Sequence, residues 1–310
     1  MRSLVRAVLP SAILLTALTP LLARAQSEGP APTQMLVQLE GKQPMMPEVS
    51  DLKLTVDGKR TQIDVASRLQ PATTQLAILV DDGLRTSFGR DLGELKDFLK
   101  SVPPGTQVFL GYMEHGTVTA AIPFTTQPGE QADKVRLPLG SPGISASPYL
   151  CLSDFLKHWP DTSAQRANRV VLMITNGVDP YNGSTSPLNQ DSPYVDAAAE
   201  DAQRAGVPVY SIYANETAER GEVTRFSGQS YLSQVADATG GTEYAQGLST
   251  PISLTPFLKE FQHALAETIT VQFHAPADRH LVRVKLENAQ RSTKLQYPHE
   301  VQPGSPLGEQ

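Results

Sequence analysis

Continuous apolar runs of strand length recur along the chain at LAILV (76–80), RVVLMIT (169–175) and VPVYSIYA (207–214). Runs of this kind mark parallel strands whose two faces are both covered. Between them the apolar residues fall at helical spacing. Leu92, Leu95, Phe98, Leu99 and Val102 precede the stop Pro103-Pro104-Gly105, and Leu152, Phe155, Leu156 and Trp159 precede Pro160. VDAAAEDAQRAG is an alanine-faced helix that Gly206 closes. QVFLGYM (107–113) and VTAAIPF (118–124) read as strands joined at Glu114-His115-Gly116, LSQVADATGG (232–241) as a short helix and TEYA (242–245) as a short strand. Thr255 caps and Pro256 opens a last helix through Phe257, Leu258, Phe261 and Leu265. This order predicts an α/β domain over 71–267, a doubly wound, mostly parallel, Rossmann-like sheet with helices on both faces.

The flanking segments follow a different rhythm. DLKLTVDGKRTQIDVAS (51–67) alternates apolar and polar positions on either side of Asp57-Gly58, a dipeptide suited to a tight turn. TITVQFH (268–274) and HLVRVKLEN (280–288) alternate likewise around a Pro-Ala-Asp turn. A β-hairpin over 49–70 and a C-terminal β extension over 268–298 are expected, pairing into a small β unit beside the main domain. Residues 26–48 hold one short apolar run, MLVQL, among prolines and glutamines, which fits a flexible arm or one added strand. Residues 299–310 have the composition of a tail.

The opening residues change the picture of where the chain works. Arg2 and Arg6 precede an apolar stretch from Ala7 to Leu22, and small residues stand at Ala23 and Ala25. That is the pattern of a secretory signal peptide over 1–25, cleaved after Ala25. Pro10, Thr16 and Pro20 leave the stretch short of the roughly 20 apolar residues a span requires. An exported protein, periplasmic or extracellular, with no membrane span after cleavage is expected. Cleavage removes three arginines and no acid, taking the formal net charge from −6 to −9, which disfavours nucleic acid and anionic membrane as partners. One cysteine, Cys151, cannot form an intrachain disulfide, and its neighbours Leu150, Leu152 and Phe155 mark it as a buried small hydrophobe.

In a doubly wound sheet, ligands bind outside the carboxyl ends of the strands. Three loops fall there: Asp81–Ser87, Ser141–Tyr149 and Asn176–Asp179. They read VDDGLR, SASPYLCLSDFL and ITNGVD, and at these residues the chain resembles a von Willebrand factor type A (VWA) domain of the exported bacterial type. The resemblance spans roughly 75–267. It implies a metal-ion-dependent adhesion site built from Asp-x-Ser-x-Ser, a threonine and Asp-Gly on those loops. Asp81 matches the first aspartate, whereas Gly83 and Arg85 stand at the serines, Ser147 at the threonine and Asn176 at the last aspartate. A hard cation wants six or more oxygen ligands with net negative charge. The site therefore reads as degenerate, with no cofactor expected beyond weak Mg²⁺ or Ca²⁺. Arg85 is positioned to neutralise Asp81, Asp82 or Asp179 in place of a cation, and Asp82, Asp179 and Tyr149 are further ligand-face candidates.

Catalytic signatures are absent: no Gly-x-Ser-x-Gly elbow, His-Glu-x-x-His helix, P-loop or Gly-x-Gly-x-x-Gly turn follows a strand. None of the six histidines pairs with another on one helix face. The reading that results is a binding module for a protein or cell-surface ligand rather than an enzyme. An assembly protein that pairs through its flanking β segments is the rival, and an uncharacterised hydrolase the third.

Overall fold

The computed structural model describes residues 29–84, 88–140, 147–161, 168–179, 192–214, 222–247, 252–277, 280–290 and 292–304, and within 222–226 the backbone alone. The expected signal peptide, Arg85, and the loop residues 141–146 and 180–191 lie outside them. Among the described residues no helix is long and apolar enough to cross a membrane.

In chain order the elements are β1 (Ala31–Glu40), β2 (Leu52–Val56), β3 (Lys59–Thr61), β4 (Ile63–Arg68), β5 (Thr74–Asp81), α1 (Phe88–Ser101), β6 (Gln107–Glu114) and β7 (Thr117–Thr125). There follow α2 (Pro148–Lys157), β8 (Asn168–Thr175), α3 (Pro193–Ala205), β9 (Val209–Tyr213), α4 (Glu222–Thr239) and β10 (Glu243–Tyr244). The last are α5 (Thr255–Ala266), β11 (Thr268–Ala275), β12 (Val282–Asn288), β13 (Lys294–Gln296) and β14 (Glu300–Val301).

The central sheet has the order β10-β9-β8-β5-β6-β7. Every neighbouring pair is parallel except β6 with β7. β5 is buried at every position because its alternating residues serve two cores. Leu76, Ile78 and Val80 join Phe98 and Leu99 of α1 and Leu258 and Phe261 of α5. Ala77 and Leu79 join Tyr149, Leu152 and Phe155 of α2, Ala198 of α3 and Leu232 of α4. This is the doubly wound α/β fold that the run-and-helix alternation predicts. α4 begins ten residues before the helix expected at 232–241, where Gly228 interrupts the sequence signal.

The terminal segments build two further antiparallel sheets, β13-β1-β11-β4 and β14-β12-β2-β3. Met35, Val37, Leu54, Val56, Ile63, Val271, Phe273, Val284 and Leu286 form a separate core between them. Asp57 and Gly58, at φ 46° and 77°, make the turn between β2 and β3. β4 then leaves the hairpin to pair with β11 in the other sheet. β1 is a ten-residue strand paired on both sides, with β11 and β13. Its alternate residues face the central domain: Leu36 enters that core, Gln34 Nε2 donates to Asn168 Oδ1 (2.7 Å), and Tyr210 Oη donates to Gln38 Oε1 (3.1 Å).

One contact fixes α5 against α1. The N-cap of α5 is Leu254 rather than the expected Thr255 and has no capping side chain, so besides Ser253 Oγ, which accepts from Thr255 N (3.2 Å), Glu94 of α1 supplies a cap from outside the helix. Its Oε2 accepts from Thr255 N (2.6 Å), Thr255 Oγ1 (2.8 Å) and Ser253 Oγ (2.8 Å). Burial pushes this carboxyl up, but the hydrogen bonds from Thr255 and Ser253 outweigh it and hold it below the ordinary glutamate value of 4.5. A group with a lowered folded pKa stabilises above its unfolded value and loses that contribution as pH falls through the folded one. Glu94→Gln is expected to cost about 1 kcal/mol at neutral pH. Urea unfolding of both proteins should show the gap closing in acid.

Candidate functional site

The ends of β5 and β8 lie side by side, and their last residues start a continuous hydrogen-bonded network. Asp81, at the end of β5, is buried. Its Oδ1 accepts from Gly83 N (2.8 Å) and its Oδ2 from Thr175 Oγ1 (2.7 Å), the last residue of β8. Thr175 Oγ1 also accepts from Gly177 N (3.1 Å), and Asn176 Oδ1 accepts from Val178 N (2.9 Å), so the amide closes its own turn. Gly177 sits in the left-handed region at φ 66°. Its carbonyl accepts from Tyr149 Oη (2.7 Å).

Ser147 is the N-cap of α2, and its side chain accepts from Tyr149 N (3.3 Å). Tyr149 is fully buried and meets Tyr231 edge-on, with ring centroids 6.1 Å apart. Burial first, then the charge of Asp179 and the proximity of Tyr231 and Asp81, hold its phenol well above the ordinary tyrosine range. Asp179 is buried as well, and its Oδ2 accepts from Ser192 Oγ (2.6 Å) ahead of α3.

The structure thus brings Asp81, Gly83, Ser147, Tyr149 and Asn176 into one region. Thr175 is the connecting residue that the sequence reading passed over, although it directly precedes Asn176 at the strand end. Asp82, Tyr149 and Asp179, the further ligand-face candidates, are buried and hydrogen-bond to Leu139, Gly177 and Ser192 respectively.

Asp82 carries the second feature the sequence did not single out. Its side chain is 1% exposed and pairs with Arg136 Nη1 (3.0 Å). The same oxygen, Oδ1, accepts from Leu139 N (3.1 Å), while the Asp82 carbonyl accepts from Gly140 N (3.1 Å). Oδ2 is buried and has no hydrogen-bond partner among the described residues. The Arg136 guanidinium lies 4.0 Å above the Tyr112 ring, and Tyr112 Oη donates to the Arg136 carbonyl (2.6 Å) and accepts from its N–H (2.8 Å). Among the described residues, the arginine at this acidic loop is therefore Arg136, drawn from the strip after a short 3₁₀ helix at Pro128–Lys134. A charge some fifty residues away along the chain leaves no local signal. The strip it anchors presents Leu137 and Leu139, 43% and 66% exposed.

At the resembled positions the donor set offers one carboxylate with a protein hydrogen bond on each oxygen, one hydroxyl engaged in capping and one amide oxygen spent in its own turn. Gly83 contributes no side-chain donor. Among the described residues no group of three or more His, Cys, Asp or Glu side chains is placed to hold a metal ion. Nor does Cys151 offer a nucleophile, since burial above all pushes its thiol up to about 12 and keeps it protonated at neutral pH.

No protein-family model matches the chain, and no curated protein matches it. Solved structures do. An aerotolerance-related membrane protein from Bacteroides fragilis NCTC 9343 matches at 12% identity and a TM-score of 0.40, over 62% of this chain and 98% of that one. The SpRpn10 VWA domain matches at 11% identity and 0.40, over 61% and 95%. The pilus adhesin SpaC from Lactobacillus rhamnosus GG, in its open conformation, matches at 9% identity and 0.44, over 84% of this chain and 46% of that one. These are distant likenesses in fold, and the assignment of the doubly wound α/β class rests on the strand order itself.

Proposed function

We propose that the chain is an exported, VWA-like binding module. It engages a protein or surface ligand at the carboxyl ends of the central strands without a tightly bound metal and without catalysing a reaction. The observation that carries this reading is the Asp82–Arg136 pair. A charged residue buried behind an exposed apolar strip fixes Leu137 and Leu139 at the end of the sheet where doubly wound folds bind ligands. The internal hydrogen bonds of Asp81 support the metal-free part of the proposal. The signal-peptide pattern supports export.

Capture of partners from envelope and secreted fractions tests it, with the wild-type chain set beside Leu139→Arg and a distant control, Val65→Arg, on β4. Capture is expected to persist in chelator, to fall at least about tenfold with Leu139→Arg, and to be unchanged by the control. Capture that needs added Mg²⁺, Mn²⁺ or Ca²⁺ and fails with Asp81→Ala would restore the metal site. Equal loss with both arginine variants would remove the loop end as the binding face.

A further inference from the structure

Among the described residues each sheet ends in strands paired on one side alone, and proteins ordinarily protect such edges by shortness or charge. Five of the six edges here follow that rule. β10 and β14 have two residues each and carry Glu243 and Glu300; β13 and β3 have three each and carry Lys294, and Lys59 with Arg60. β4 carries Asp64 and Arg68. The sixth edge, β7, runs nine residues as TVTAAIPFT without one charge. Its far half is interrupted by pairing irregularities against Val108, Leu110 and Gly111, where Ala121 has no register partner, and by Pro123, which leaves Thr117–Ala120 as the regular stretch.

The hairpin geometry says which groups are open. His115 and Gly116, at φ 51° and 81°, form a two-residue loop, so the flanking Glu114 and Thr117 make a narrow hydrogen-bonded pair. By alternation Tyr112 and Thr119 make the next, and the N–H and C=O of Val118 and Ala120 point away from β6. Thr117, Thr119 and Ala120 are exposed, so both faces of this stretch are accessible at the edge.

We infer that β7 is a pairing edge and that its partner is the β7 of a second copy of this chain, in an antiparallel, two-fold arrangement centred on Thr119. In that register Val118 of each copy stands opposite Ala120 of the other, which brings the open N–H and C=O groups into narrow pairs. Thr119 faces Thr119, a favourable cross-strand pair. A two-fold contact must be its own complement, and an uncharged strand meets that condition with no like charges opposed. The two central sheets become one continuous sheet. This edge lies at the same end of the central sheet as the loop face, since Val118 pairs with Met113 and Met113 with Asp81, but the inference does not depend on what that face binds.

Sedimentation velocity of the whole chain over a wide concentration range tests the inference, together with amide hydrogen exchange. A concentration-dependent dimer is expected. The Val118 and Ala120 amides should slow as the dimer forms, whereas those of Thr117 and Thr119 are slow throughout. Ala120→Pro removes only an outward donor and is expected to weaken association by about a hundredfold at an unchanged urea midpoint. Thr119→Lys, which opposes two like charges on an exposed position, provides a second disruption if the proline variant folds poorly. A monomer at every concentration overturns the inference, as does a dimer in which Val118 and Ala120 exchange freely or which Thr119→Lys leaves intact.

Discussion

Gly177→Ala is expected to destabilise the protein by about 3 kcal/mol or more, and two independent costs add to that figure. The first is conformational: at φ 66° a Cβ-bearing residue pays about 1 kcal/mol. The second is overlap. A Cβ at Gly177 would stand 2.4 Å from the Gly228 carbonyl oxygen and 2.6 Å from Leu232 Cγ, both on α4. A backbone carbonyl inside a helix cannot rotate aside as a side chain can, so the loop or the helix must shift. Gly228→Ala is the converse change, with its Cβ 2.3 Å from the Asn176 carbonyl oxygen. Helix propensity alone favours alanine by about 1 kcal/mol; the contact is expected to reverse that sign and leave a net loss of about 2 kcal/mol. Because both substitutions open the same crossing, the double variant should cost less than the two singles together. Urea unfolding of the three variants decides the matter: a Gly228→Ala protein more stable than wild type would show that the two backbones do not touch as described. The shift also reaches the site, since the Gly177 carbonyl accepts from Tyr149 and the Gly177 N–H donates to Thr175, the partner of Asp81.

What the sequence reveals and what it conceals divide along the range of the interaction. The buried runs at 76–80 and 169–175 and the helical spacing after each are local patterns, and they suffice for the doubly wound sheet. The Asp57-Gly58 turn is likewise local. Gly228 is the opposite case, because inside a helix it reads only as a weak helix former and its reason lies across space at Gly177. β1 shows a similar limit. Its apolar residues are split between two cores, Leu36 with the central domain and Met35 and Val37 with the terminal sheets, so the run looks shorter than the strand. At the site, motif spacing directs attention to Arg85, and nothing around Arg136 marks it as the residue that reaches Asp82. A long-range ion pair has no periodicity to read.

The terminal sheets also bear on the rival reading of the chain as an assembly protein. Pairing through the flanking β segments would use edges that are short and charged: β13, β14, β3 and β4. Those edges have the character of protected ones. Their faces are occupied too, by a shared core and by the contacts of Gln34 and Gln38 with the central domain. Among the described residues, β7 is the edge strand that carries neither a charge nor the shortness of the others.

Arg136→Met is expected to cost about 2–3 kcal/mol, somewhat below the roughly 3–5 kcal/mol for breaking a fully buried ion pair. Asp82 is nearly fully buried, whereas Arg136 is 36% exposed and gives up less hydration in pairing. Methionine keeps an apolar stem against Tyr112, so the loss reports on the charge left behind at Asp82 together with the lost bond from Nη1 to the Leu137 carbonyl (2.8 Å). Among the described residues that carboxylate would then hold one hydrogen bond, from Leu139 N, with its second oxygen already unpartnered. Removing the stranded charge should therefore restore stability: Asp82→Asn in the Arg136→Met background is expected to recover about 1 kcal/mol or more. A purely structural arginine would show no such recovery, because the second substitution would add its own loss. The consequence for binding is local. Leu139 N and Gly140 N both donate to Asp82, so their amides should exchange faster in Arg136→Met at concentrations of denaturant that leave the rest of the sheet protected. If Arg136→Met lies within about 0.5 kcal/mol of wild type and those amides are unchanged, the pair does not hold the Leu137–Leu139 strip, and the apolar surface proposed for binding has no fixed support.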